Sequence, residues 1–153
     1  MKILCILGLW MAFSLSILQA KEIKMSSPDG KYQVTLSDEG GNLHYSVNWN
    51  HKEAIKPSLL GINANVVWRD QLALGDITTA EQDTVWHPVY GERSTIKDRY
   101  KAWSVVINRQ HSREKLVLDV RAYNEGIAFR YRFPGGQYLK ILSLIHISEP
   151  TRH

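Results

Sequence analysis

The sequence predicts an all-β fold, a partial antiparallel β-sandwich, on three observations. Apolar residues recur at every second position in several short runs, the spacing of a strand with one buried face. Clusters of Gly, Pro, Asn, Asp and Ser separate those runs and shape turns between them. Past the N-terminal stretch no segment sustains a helical period, and no internal repeat or low-complexity linker interrupts the pattern. Short strands with closely spaced turn signals argue a sandwich.

The clearest element is Leu116 to Phe133. Leu116, Leu118, Val120 and Ala122 alternate with Val117, Asp119, Arg121 and Tyr123. After Asn124-Glu125-Gly126, the residues Ile127, Phe129, Tyr131 and Phe133 alternate with Ala128, Arg130 and Arg132. This is a β-hairpin, with Gly126 expected in the left-handed position of a three-residue loop.

Upstream, Ser26 to Gly30 reads as a turn in which Pro28 fixes φ and Asp29-Gly30 closes the chain. Tyr32, Val34 and Leu36 mark a strand, Asp38 to Asn42 a loop, and Leu43, Tyr45, Val47 and Trp49 a second strand paired with the first. Asn50-His51 turns the chain, and Glu53 to Ile55 is a short third strand. Pro57 cannot donate to a ladder, so Pro57 to Ile62 reads as an edge or crossing segment. Ile62 to Trp68 is a weak strand, Arg69 to Asp83 a polar surface segment, and Trp86 to Arg93 a loop with two large aromatics. Tyr100 to Asn108 is a strand with Trp103, Val105 and Ile107 on one face, and a polar turn, Arg109 to Glu114, leads into the hairpin. Trp49 and Trp103 fall in step with apolar neighbours and are assigned to the core.

Residues 1–20 read as a secretory signal peptide. Lys2 precedes an uncharged run from Ile3 to Leu18, and Ala20 is a small residue at the expected cut. Leu18 is larger than such a cut prefers two positions upstream, so a neighbouring bond is an alternative. A membrane anchor is the other reading, but the run is short for a span of about 20 apolar residues. A cleaved leader puts the protein in the periplasm or outside the cell. It also removes Cys5, the single cysteine, and with it any disulfide or thiolate chemistry.

At the other end Leu142 to Arg152 reads LSLIHISEPTR, which resembles the translation of a transposase adapter used in building sequencing libraries. Residues 142–153 are accordingly expected to be an artefactual tail, and His146 and His153 carry no functional argument. Read as natural sequence, Ser143 to Ile147 would be a short strand and Ser148-Glu149-Pro150 a turn. Residues 21–141 remain as one incomplete sandwich domain, long enough for a core of its own. Ending just past the hairpin would leave a sheet edge and an apolar face uncovered, which predicts aggregation in isolation.

The formal net charge of +4 is small and scattered, which argues against nucleic acid. His44, His51, His87 and His111 show no helical ligand spacing and no H-E-x-x-H, so a metal site is disfavoured. Glycoside hydrolysis needs two carboxyl groups flanking the scissile bond, and Glu92, Asp98, Asp119 and Glu125 are the carboxylates to weigh. Asp119 lies on the outward face of a strand and Glu125 at a hairpin tip, which suits solvated surface groups. Trp86, Tyr90, Glu92 and Arg93 share one aromatic loop and are the candidate substrate or domain-interface residues, since loops carry function and flat aromatics stack on sugar rings. Within that loop an ion pair of Glu92 with Arg93 or Arg99 is the plainer reading. Arg121, Arg130 and Arg132 share the polar face of the hairpin and either pair with acids or cover the sheet with their stems.

Four blocks in this order, SPDGKYQVTLSDEGGNLHYSVNW, KPSLLGI, WHPVYGERSTIKDRY and LDVRAYNEGIAFRYRF, resemble the N-terminal domain of glycoside hydrolase family 97. The resemblance implies a galactose-mutarotase-like supersandwich packed against a (β/α)8 barrel. It implies exo-acting hydrolysis of α-glucosides or α-galactosides, calcium dependence and a periplasmic location. The partners it implies are an α-linked oligosaccharide and the chain's own barrel domain. The family's catalytic carboxylates belong to the barrel, and its calcium ligand from this domain is expected downstream of Ile141. No catalytic residue, no metal ligand and no bound calcium are therefore assigned to this chain, which should be inactive by itself. The alternative is a free-standing carbohydrate-binding or mutarotase-like sandwich.

Overall fold

The computed structural model describes residues 20–64, 66–89, 94–135 and 141–147, with 143–147 as backbone alone. The leader up to residue 19, and Tyr90, Glu92 and Arg93 of the aromatic loop, lie outside the described residues.

The described strands form two antiparallel sheets. The larger runs β1 (Glu22–Ser26), β2 (Tyr32–Ser37), β3 (His44–Trp49), β4 (Lys52–Asn63) and β10 (Ser143–Ile147) side by side, with β5 (Val67–Trp68) also paired to β4. The smaller is a meander of β6 (Leu72–Trp86), β7 (Ile96–Arg109), β8 (Lys115–Tyr123) and β9 (Gly126–Arg132). The period of two places alternate side chains on one face of each sheet. Val34, Leu36, Tyr45, Val47, Leu60 and Ile62 of the larger sheet thus meet Leu74, Val105, Ile107, Leu116, Leu118 and Val120 of the smaller in one core. Burying each such side chain stabilises by roughly 1.5–3 kcal/mol.

Two polar clasps join the sheets at their ends. In the β1–β2 turn Ser27 is buried, and its hydroxyl donates to Asp29 Oδ1 at 2.6 Å while accepting from Tyr32 N at 3.0 Å. The Asp29 backbone N–H then donates to Asn124 Oδ1 in the β8–β9 turn at 3.0 Å, across the sandwich. At the far end of β2, Asp38 Oδ2 accepts from Leu74 N of β6 at 2.9 Å.

Several sequence expectations need correction. Trp49 is not core: it ends β3 and is 47% exposed, because the opposing sheet no longer covers the end of the strand there. Pro57 does not break β4 into a crossing piece. The β3–β4 register shifts between Tyr45↔Ser58 and Val47↔Ile55, so Lys56 and Pro57 sit in an irregularity where a missing N–H is tolerated. Arg69 to Asp83, read as a polar surface segment, belongs from Leu72 onward to the long strand β6. Exposure was rightly expected for its outer part, but strand pairing there has polar residues on both faces and leaves no alternation to read. The hairpin pairs Tyr123 with Gly126 around a two-residue turn, and Gly126 does not take a positive φ. Among the described residues, positive φ falls instead at Asn50 and His51 of the β3–β4 turn, at Gln71 and His111, and at Gly30, Gly40, Gly41 and Gly135. β1 was not anticipated, although Ile23 and Met25 alternate with Glu22 and Lys24. Ser143–Ile147 pairs with Leu59–Asn63, the strand its natural reading gives.

Candidate functional site

The aromatic loop caps a projecting ribbon. β8 accompanies β7 only as far as Tyr100↔Tyr123. Beyond that point β6 and β7 have only each other, in the pairs Asp83↔Arg99, Thr84↔Asp98, Val85↔Lys97 and Trp86↔Ile96. β-Branched Thr78, Thr79, Thr84 and Val85 favour extended backbone. Opposite charges lie across the ribbon, with Lys101 Nζ 3.4 Å from Glu81 Oε1 and Arg99 Nε 3.4 Å from Asp83 Oδ2. These pairs are exposed and contribute well under about 1 kcal/mol each. They set register more than stability.

At the ribbon's end His87 Nδ1 donates to Ser94 O at 2.8 Å, since a carbonyl can only accept, and Thr95 Oγ1 lies 3.3 Å from the same nitrogen. His87 thereby ties the two feet of the loop together. Trp86 is 50% exposed, and Val85 and Val89 beside it are exposed as well. Of the candidate residues the structure places Trp86 alone, at the end of β6 and paired across the ribbon with Ile96.

The weighed carboxylates do not converge. Glu125 is exposed in the β8–β9 turn, and Asp98 lies on the ribbon opposite Thr84. Asp119 is not a solvated surface group: its side chain is 13% exposed and fully engaged. It accepts from Ser104 Oγ at 2.7 Å, from Arg130 Nε at 3.0 Å, and from Arg132 Nε and Nη2 at 3.0 Å each. The bidentate Arg132 fork leads in holding the Asp119 carboxyl far below the usual carboxylate range, with the Ser104 hydroxyl and Arg130 adding to it. A carboxylate so held is a poor general acid or base near neutral pH. Arg121 instead covers a ring, its guanidinium 4.6 Å from the Tyr100 centroid, and Tyr100 packs on Tyr123 at 5.1 Å.

Between the sheets a cavity of about 180 Å³ is lined by Tyr45, Val47, Ile55, Leu118, Ile127 and Phe129 among others. Phe129 at its mouth is 44% exposed, since β9 ends the smaller sheet among the described residues. The lining is almost wholly apolar and offers no pair of groups for acid–base chemistry. Among the described residues no three His, Cys, Asp or Glu side chains gather where a cation could sit. His44 Nδ1 is buried without a hydrogen-bond partner rather than set on an open polar face.

Asp38 and the Ser27–Asp29–Asn124 clasp were not singled out from sequence. The S-x-D-G turn was visible, but its tie to Asn124 spans 95 positions and leaves no local signal.

Solved relatives share this fold. A glycoside hydrolase family 97 enzyme from Pseudoalteromonas sp. strain K8, in separate complexes with panose and with acarbose, superposes with a TM-score of 0.75 at 23% identity, over 81% of this chain and 20% of its own. A β-arabinopyranosidase superposes with a TM-score of 0.77 at 23% identity, over 84% of this chain and 21% of its own. In sequence, a retaining α-galactosidase of Bacteroides thetaiotaomicron is 23% identical over 145 residues, which are 94% of this chain and 21% of that enzyme. The chain thus spans about a fifth of the length of these relatives. A family profile described as glycosyl-hydrolase 97 N-terminal matches residues 25–150, most of the chain, and the protein belongs to that family.

Proposed function

We propose that this chain is the scaffold module of a longer, exo-acting α-glycoside hydrolase whose catalytic carboxylates and calcium reside in polypeptide beyond it. The observation that carries the reading is the chemistry of the acids. Within a family of glycoside hydrolases, the largely enclosed carboxylate of Asp119 is locked by two arginines and a serine, while Glu125 and Asp98 stand apart among the described residues. Two carboxyl groups roughly 5–10 Å apart across a sugar are what the reaction requires. The sandwich offers rigid sheets and a ribbon carrying Trp86 at its tip. In this reading the ribbon reaches the barrel, and the loop holding Trp86, Tyr90, Glu92 and Arg93 lines the border of a pocket for an α-linked oligosaccharide. Residues 1–20 direct the enzyme to the periplasm or out of the cell.

The test is turnover. The purified chain should not hydrolyse aryl α-glucosides or α-galactosides with or without calcium. Calcium-dependent release of the aryl group at an enzymatic rate, surviving repurification, would place the chemistry in this module and end the scaffold reading.

A further inference from the structure

We propose that the chain is cut between Ala20 and Lys21, and that Asp38 receives the α-ammonium so freed as a clasp between the two sheets. The proposal rests on the leader reading of residues 1–20 and goes beyond it, because it assigns a receptor to the freed amine.

The backbone nitrogen of Lys21 lies 2.7 Å from Asp38 Oδ1. The other carboxylate oxygen accepts from Leu74 N of β6 at 2.9 Å, so this one side chain joins the residue preceding β1 to the opposite sheet. The Asp38 N–H donates back to Lys21 O at 3.3 Å. Lys21 is held from its far end too, its Nζ donating to Gly75 O at 2.8 Å and Leu74 O at 3.3 Å. Lys21 therefore has a fixed seat at the junction where its own side chain is spent on carbonyls.

What Asp38 lacks is an ion pair of its own. Among the described residues no Lys, Arg or His side chain forms an ion pair with Asp38. A half-buried carboxylate that accepts two amide N–H groups without a direct ion pair has room for a further charge-assisted partner. Hydrolysis of the Ala20–Lys21 amide supplies the charge at that atom. Water adds across the bond under a leader-removing protease: its hydroxyl goes to the Ala20 carbonyl carbon, which leaves as a carboxylate, and the Lys21 nitrogen leaves as an amine. At neutral pH the amine takes up a further proton. The 2.7 Å amide bond then becomes a charge-assisted pair with the heavy atoms where they already are. Bonds of that kind are about twice as strong as neutral ones. Ala20 is exposed, so the bond is open to attack. A cut one residue later would discard the Nζ anchor, and a cut upstream would leave the new charge away from Asp38.

The experiment uses the whole chain. Expressed with its leader in a secreting bacterial host, the mature protein should begin at Lys21 by mass spectrometry. Its Tm should exceed by about 4 °C that of a chain made to begin with Met ahead of Ala20, and Asp38→Asn should close the gap. A second reading needs no variant: the α-amine of the mature chain should acylate several-fold more slowly when folded than in urea. A different N-terminus, a gap that Asp38→Asn leaves intact, or equal acylation rates would each overturn the proposal.

Discussion

At the scale of residues, the same few polar groups recur as fasteners rather than reagents. Asp119 is the strongest case. Its folded carboxyl titrates far below the unfolded value, so it adds stability above the unfolded pKa of about 3.9, and that stability drains away as pH falls through the folded value. Asp119→Asn should therefore cost about 1–2 kcal/mol at pH 7, and somewhat less in melts at pH 3, where wild type has begun to lose the same contribution. Tyr131 makes the opposite case. Burial pushes its phenol well up, and its hydroxyl has no partner. Tyr131→Phe should leave Tm unchanged or raise it, because an unsatisfied buried hydroxyl costs about 1–3 kcal/mol. Gly75 answers to space: a Cβ there would stand 2.5 Å from Asn108 Nδ2 and 3.0 Å from Val106 O. Gly75→Ala should cost about 1–3 kcal/mol in chemical denaturation. Asp119 was visible in sequence as a charge on an outward strand face, but its partners were not. Ser104 lies 15 positions away and Arg132 lies 13 away, and only sheet register brings them together.

Among elements, legibility followed burial. The β8–β9 hairpin could be read because one face of β8 is wholly apolar and buried, with Leu116, Leu118, Val120 and Ala122 each at most 2% exposed. β2 and β3 could be read for the same reason. β6 could not: from Asp76 onward both its faces meet solvent, and its strand state is imposed by pairing with β7 rather than by its own pattern. Trp49 shows the converse failure, an apolar residue in step with its strand yet past the rim of the opposing sheet. This division predicts a gradient of amide exchange. The outer pairs from Asp83↔Arg99 to Trp86↔Ile96 should exchange faster by orders of magnitude than Val105 and Leu118 in the packed centre. Uniform protection along β7 would mean that the ribbon has a covering not seen among the described residues.

For the whole molecule, the two sheets close a real core, yet their coverage is unequal. The cavity that opens beside Phe129 and the side of β9 left unpaired among the described residues form a surface that a lone domain would not choose to expose. The isolated chain should accordingly self-associate as its concentration rises, which light scattering would detect. A monomer with a sharp, reversible melt would count against the proposal that this chain is part of a longer enzyme. The family and the fold were legible because turn motifs and strand alternation survive in short blocks. The clasps and the bare ribbon were not, because they depend on contacts distant in sequence. The central claim is that this sandwich serves chemistry housed elsewhere in a longer enzyme. Reading the source genome through and beyond codon 141 tests it most directly. The account predicts an open frame that completes the sandwich and then encodes a barrel bearing paired carboxylates; a natural stop codon shortly after that position would contradict it.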